Sequence, residues 1–449
     1  MSSRKTIVIC VMPAPDGLAQ YGSLPPVLKA GEIANSRGDK VIWTCSDCFR
    51  EIISSNFPKN EIFSYPDPTL YALPKIFQKP FIWMLDQDLP QWMMPSLKKE
   101  KTTEWIFDSY LTIGLGKQDF FDEAVLTVLK VLVERNVDKI LCFADPVGLI
   151  AAEIAGIPVM NFNNLMPVGE AGGKGATQFN ATIAKTMRKF SPDKHNVKPF
   201  SKIYTDKDQF QMISSLERAG TDSGSRSKVY IAGFELKKAK IRKNVQPLDE
   251  QALANQRVAF AYFGSVSISF KLAKKVLAEA FEIINRKSKS NKPWHCYVGS
   301  QFVESAHSIG NVHYAPYYDA RVLFKYADLT FAHGGLMTLF DSLSHGVPMI
   351  LVPGSLYERR FNSEEVVATG SGVMLEIDEF TPEKCALIVL DEPRIKTMSE
   401  NAKKAQQRIK GACTLTDAFE LSETAWESKP DLEKKESVAT YLQNKGYLK

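Results

Sequence analysis

"FAHGGLMTLFDSLSHGVPMILVPGSLYERRFN", Phe331 to Asn362, decides how this 449-residue chain is read. An apolar run ends at His333-Gly334-Gly335, a segment with helical spacing runs on to Gly346, and a second apolar run ends at Pro353-Gly354. Strand, glycine corner, helix, glycine corner and strand make the βαβ unit of a parallel sheet with both faces covered. "SLYERRFN" then reads as a polar, charged loop. Glycine at a strand end lets the backbone approach a ligand, and the amides that open a helix attract an anion. His333, Gly335 and the hydroxyl of Thr338 stand where they would hold a diphosphate. Asp341, on the following turn, is placed for ribose hydroxyls.

The rhythm continues outward. "RVAFAYFGS" is a strand ending in a second small-residue corner at Ser265, and "KLAKKVLAEAFEIINRK" is an amphipathic helix. "PWHCYVGS" and "NVHYAP" are further strands. The first half has the same alternation: "KTIVICVM", "LPPVLKAGEIANSRG", "DKVIWTC", "DEAVLTVLKVLVERN", "VDKILCFAD", "GLIAAEIAG" and "IPVMNFN". Between 163 and 227 the texture turns polar, with "GEAGGKG" and "RAGTDSGSRS" read as loops, and the charged run after "KVYIAGF" has no core of its own. The chain is therefore α/β, with two Rossmann-like doubly wound domains over 1–240 and 241–425 and a terminal amphipathic helix within 426–449. Two such domains facing each other leave a cleft at the carboxyl ends of their strands.

Composition excludes several classes. Hydrophobic content of 44% with 24% charged residues describes a globular protein, and a net charge of +5 with interspersed signs argues against nucleic acid. No run of 18 apolar residues is present, so no membrane span is expected, although peripheral membrane contact is compatible. The N-terminus lacks a signal-peptide pattern. Seven scattered cysteines suit a reducing, cytoplasmic setting. Cys45 and Cys48 form a lone CxxC that reads as turn packing, and no metal site is expected. The proline-, methionine- and aromatic-rich segment Tyr65 to Trp105 is core or pocket lining, and Trp83, Met84, Trp92 and Met93 in it would suit an apolar ligand.

The Phe331–Asn362 stretch resembles the donor-binding signature of the UDP-glycosyltransferase family (glycosyltransferase family 1, GT-B fold). "AYFGS", "NVHYAPYYDARVLFKYADL", "DKILCFADPVGLIAAEIAGIPVMNF" and "GSLPPVLKAGEIANSRGDKVIW" extend the similarity. The resemblance implies an inverting transferase that moves a hexose, glucose first among candidates, from a UDP-sugar to a hydroxyl of a hydrophobic molecule such as a sterol or hydroxy fatty acid. It implies no obligatory metal or other cofactor, and a terminal helix that returns to the first domain. Tyr314 matches the aromatic position that stacks on the base. Ser265, His333, Gly335 and Thr338 match the diphosphate positions, and Asp341 matches the acid on the ribose. Glu358 and Arg359 match the Asp-Gln pair that reads the sugar, and Asn362 follows at the expected offset.

Two departures stand out. Arg359 replaces a glutamine, which would suit an acidic sugar or the diphosphate itself. The position of the family's catalytic histidine is Ser23, and no histidine precedes His195. A serine hydroxyl is too weakly acidic to serve as a base. Asp16, just after the first strand, and Asp145, in "CFADP", are the carboxylates left, with Asp16 favoured as base and Asp145 orienting it or sharing its load. Other readings are a catalytically silent UDP-sugar-binding partner protein and a GT-B epimerase acting on a UDP-sugar alone.

Overall fold

The computed structural model describes residues 4–15, 24–69, 110–111, 113–143, 145–164, 174–193, 197–206, 208–215, 218, 223, 225–231, 245–264, 268–300, 302–354, 357–426 and 428–448. Its first sheet comprises β1 (Thr6–Cys10), β2 (Lys40–Ser46), β3 (Glu61–Tyr65), β4 (Lys139–Phe143), β5 (Val159–Asn164), β6 (Phe210–Ser214) and β7 (Lys228–Ile231). All are parallel, in the order β3-β2-β1-β4-β5-β6-β7. The helices around it are α1 (Leu24–Ser36), α2 (Asp47–Asn56), α3 (Gln118–Glu134), α4 (Pro146–Ala155), α5 (Lys174–Phe190) and α6 (Phe200–Tyr204).

The second sheet has β8 (Arg257–Tyr262), β9 (Trp294–Gly299), β10 (His307–Ile309), β11 (Val312–Ala315), β12 (Ala327–Ala332), β13 (Met349–Leu351) and β14 (Gly372–Met374). Their order is β10-β11-β9-β8-β12-β13-β14, and only the edge pair β10–β11 is antiparallel. The remaining helices are α7 (Glu250–Ala254), α8 (Phe270–Lys287), α9 (Ala320–Tyr326), α10 (Leu336–Ser344), α11 (Tyr357–Ala368), α12 (Pro382–Leu390), α13 (Glu392–Lys410), α14 (Leu415–Thr424) and α15 (Leu432–Asn444).

Burial on two faces explains the unbroken apolar strands. In β1, Val8 and Cys10 pack with α3 and α4, while Ile7 and Ile9 pack with α1 on the opposite face. Each such side chain contributes about 1.5–3 kcal/mol when fully buried. In both sheets the connections reverse direction at one place, β1/β4 in the first and β8/β12 in the second. That switch opens a crevice at the carboxyl ends of the strands.

The structure refines the sequence reading at three places. "SLYERRFN" is not wholly a loop, because Tyr357 onward is helical and Glu358 and Arg359 lie in the first turn of α11. The stretch 163–227 contains α5 and β6, whose strand is buried throughout despite its glutamine and serine. Both α14 and α15 pack on the first domain. Leu415, Ala418 and Phe419 join the α1 side of its core, and Val438 and Leu442 join the α3–α4 side. Lys139 locks this return, donating to Ser422 O at 2.9 Å and to Glu423 Oε1 at 2.7 Å.

Candidate functional site

Both small-residue corners recognised in the second half fall at its switch point. β8 and β12 are paired neighbours, so the turn at Phe263-Gly264 and the turn at His333-Gly334-Gly335 lie side by side. His333 fills the gap between them. A Cβ on Gly264 would lie 3.0 Å from His333 Nε2, and one on Gly335 would lie 2.5 Å from it. Small residues on both sides are therefore what admit the imidazole.

His333 is 7% exposed, and its Nδ1 lies 3.2 Å from Tyr262 O. A carbonyl only accepts, so Nδ1 carries the proton and Nε2 of the neutral ring keeps its lone pair. Burial, followed by the nearby Arg359 charge, lowers the ring's pKa from 6.5 to about 3. In this state Nε2 accepts. Donation to an anion requires a second proton, which the anion's own charge would favour.

Gly335 is the N-cap of α10 and provides no side-chain cap, so the first amides of that helix keep no bond from a capping side chain. Thr338 is partly exposed in the first turn. Burial raises Asp341 from 3.8 to about 7 against the opposing pull of Arg321. Gly334 has φ of +82°, and a Cβ there would meet Arg359 O at 2.3 Å. The start of α11 thus lies directly on the glycine corner. Asn362 donates to Gly334 O at 3.1 Å and fixes that approach.

Glu358 and Arg359 are partly exposed residues whose charged ends are desolvated. Burial raises Glu358, against the pull of Arg359 and a bond from Asn362. Burial lowers Arg359 from 12.5 to about 10 against the pull of Glu358. Arg359 Nη1 is buried and has no hydrogen-bond partner among the described residues. An unpaired guanidinium nitrogen beside an uncapped helix is a site prepared for an anion.

Tyr314 requires a correction. It is fully buried, its hydroxyl donates to Lys274 O at 3.1 Å, and its ring stacks on His307 with centroids 5.2 Å apart. A ring so enclosed offers no open face to a base. Phe302 and Tyr317, beyond the carboxyl ends of β9 and β11, are partly exposed aromatic residues that the sequence reading passed over.

In the first domain Asp145 is the N-cap of α4. Its oxygens accept from Val147 N and Gly148 N, both at 3.0 Å. It is completely buried, and burial raises it from 3.8 to about 7 although those two amides pull the other way. Both oxygens are committed to its own helix, which suits positioning better than direct contact with a substrate. Asp16, Ser23, Ser265, Trp83, Met84, Trp92 and Met93 lie outside the described residues.

Comparison with known proteins bears on the fold that carries this corner. Residues 267–419 match the glycosyltransferase family 28 C-terminal domain. Over 92 residues the chain is 32% identical to a UDP-N-acetylglucosamine–N-acetylmuramyl-(pentapeptide) pyrophosphoryl-undecaprenol N-acetylglucosamine transferase from Alkalilimnicola ehrlichii. That match spans 19% of this chain and 26% of that protein. Among solved structures, the kitacinnamycin glycosyltransferase superposes with a TM-score of 0.64 at 15% identity, over 94% of this chain and 99% of the other. The glycosyltransferase VinC, solved in complex with dTDP, gives 0.62 at 14% identity, over 94% and 100%. SnogD from Streptomyces nogalater gives 0.55 at 13%, over 94% and 99%. The fold is the GT-B fold of glycosyltransferases, and the resemblance stated from sequence holds at that level.

Proposed function

We propose that this chain, which has the GT-B fold and carries a glycosyltransferase C-terminal domain, is an inverting hexosyltransferase using a UDP-sugar. The observation that carries the reading is the β8/β12 switch point, where the uncapped start of α10, His333 and the unpaired Arg359 Nη1 converge. The diphosphate occupies that corner, with Ser265 and Thr338 adding hydroxyls and Asp341 holding the ribose. The base lies against Phe302 or Tyr317, since Tyr314 is enclosed. Glu358 and Asn362 set the start of α11 on the glycine corner, and Glu358 and Arg359 face the sugar.

The acceptor is an apolar alcohol, a sterol or hydroxy fatty acid, held near Trp83, Met84, Trp92 and Met93. Asp16 takes the hydroxyl proton as it attacks the anomeric carbon, and the bond to the diphosphate oxygen breaks on the opposite face. Asp145, committed to α4, positions the loop that follows β1. The positive end of α10 and Arg359 balance the departing charge with no metal invoked at this corner. No helix among the described residues is long and apolar enough to cross a membrane, which leaves peripheral contact as the route to a lipid acceptor.

The test is a thermal-shift panel of UDP-glucose, UDP-glucuronate, UDP-N-acetylglucosamine and a dTDP-sugar. It is followed by UDP release with sterols and hydroxy fatty acids, and by NMR of the product anomer. A UDP-sugar shift with acceptor-dependent release and inverted product supports the reading. Tight UDP binding with no turnover would favour a silent binder, as the committed Asp145 and the absence of histidine before position 195 also would. Turnover without acceptor would favour an epimerase.

A further inference from the structure

The first domain's switch point holds a cluster of which the transferase reading uses only Asp145, as a positioning group. Cys10 Sγ, Cys142 Sγ and a carboxylate oxygen of Asp145 lie within 4.8 Å of one another. Cys10 and Cys142 are register partners on the adjacent parallel strands β1 and β4, and Asp145 follows β4 directly. All three are at most 1% exposed. Their atoms close in on Gly148, which has no side chain to keep them apart. A Cβ on Gly148 would meet Cys142 Sγ at 2.7 Å, Cys10 Sγ at 2.8 Å and Asp145 Oδ2 at 2.9 Å.

We infer that Cys10, Cys142 and Asp145 bind a thiophilic divalent cation of the zinc type. Two sulfurs and one carboxylate oxygen are a donor set that zinc accepts. Zinc–sulfur bonds of about 2.3 Å and zinc–oxygen bonds of about 2.0–2.2 Å place tetrahedral ligands roughly 3.5–3.8 Å apart, so donor atoms already within 4.8 Å of one another need contract by no more than about 1 Å, within reach of cysteine side-chain rotation.

Supporting bonds stand behind the ligands. Thr44 donates its hydroxyl to Cys10 Sγ at 2.9 Å, and the Val147 and Gly148 amides hold Asp145 while leaving it further lone pairs. Charge agrees as well. Two thiolates, one carboxylate and one divalent cation leave a single net negative charge at the start of α4, the end of a helix that favours it. Binding exchanges two S–H bonds for two S–metal bonds and releases both protons to solvent, with no change of oxidation state. The ion joins β1, β4 and α4, and so acts as a clamp at the carboxyl ends of β1 and β4.

The experiment uses the full chain, purified under reductant, stripped with chelator and titrated with Cd2+, whose thiolate bonds absorb in the ultraviolet. One equivalent binds with charge-transfer absorption from two thiolates. Cys10→Ser and Cys142→Ser each reduce that absorption at least twofold, while Cys45→Ser and Cys48→Ser leave it unchanged. Because core variants can fail to fold, X-ray absorption of the zinc-loaded, unmodified chain provides the second reading, with two sulfurs and the remaining ligands oxygen or nitrogen. Absence of stoichiometric uptake, a shell without sulfur, dependence on Cys45 and Cys48, or a Cys10–Cys142 disulfide in the chain as isolated would each overturn the assignment.

Discussion

The two switch points are built on the same plan and finished in opposite ways. In the first domain α4 is capped from within, since Asp145 takes the Val147 and Gly148 amides and is sealed in the core. In the second, α10 begins at Gly335 with no capping side chain, and an unpaired arginine nitrogen stands nearby. A helix start that supplies its own anion has little left for a ligand, whereas one that leaves its amides free recruits one. The same topology thus gives a closed, anionic corner on one side of the molecule and an open, cationic corner on the other. The open corner lies in the half that the proposed function assigns to the nucleotide.

Three changes act on that contrast, in decreasing order of effect. Gly334→Ala breaks the open corner outright. Its φ of +82° disfavours a side chain, and the new Cβ would fall 2.3 Å from Arg359 O and 2.4 Å from Ser363 Oγ. The expected loss is on the order of 2–4 kcal/mol in urea denaturation, together with loss of any UDP-sugar thermal shift.

Asp145→Ala uncaps the closed corner. It should cost about 1–2 kcal/mol, with Asp145→Asn milder, while UDP affinity measured by calorimetry stays within about twofold. A large drop in UDP affinity would mean that the two corners are not independent.

Arg359→Gln alters charge with little change of shape. If the arginine reads an acidic sugar, preference for UDP-glucuronate over UDP-glucose in the thermal-shift panel should fall at least tenfold. An unchanged preference would assign Arg359 to the diphosphate instead.

A smaller signature lies in the pH dependence of stability. The pKa of His333 is depressed on folding from 6.5 to about 3, so the unfolded chain binds the proton more tightly. Its contribution is intact above about pH 6.5 and is lost as pH falls toward 3. Asp341 has the opposite sign. Its pKa rises from 3.8 to about 7, so the folded chain holds the proton and stability declines as pH rises through that window. Urea melts across pH 4–7.5 should show a flatter acid side in His333→Asn and a flatter neutral side in Asp341→Asn.

Much of this was legible in the chain because it is local. Apolar runs ending in Gly-Ser or His-Gly-Gly fix strand ends and corners within a few residues, and those corners are where the second switch point lies. The start of α11 reads as a loop because Pro353-Gly354 and a charged run signal one, while the helix lies against Gly334, some 20 residues earlier in the chain. Tyr314 looked available because its alternating strand has one half-exposed face. Which face a residue occupies depends on α8, some 40 positions away. The Cys10–Cys142 pairing joins strands 132 residues apart, and no spacing rule reaches that far.

The central claim, that the free start of α10 binds the donor diphosphate, is tested most directly by calorimetric titration of UDP into Thr338→Asp. A carboxylate in the first turn of α10 complements the helix dipole, by about 0.3–1 kcal/mol at an exposed site, so the fold should melt no earlier than wild type. The same carboxylate would stand where the diphosphate sits, and UDP affinity should fall at least tenfold. Unchanged UDP affinity in a folded Thr338→Asp protein would contradict the account.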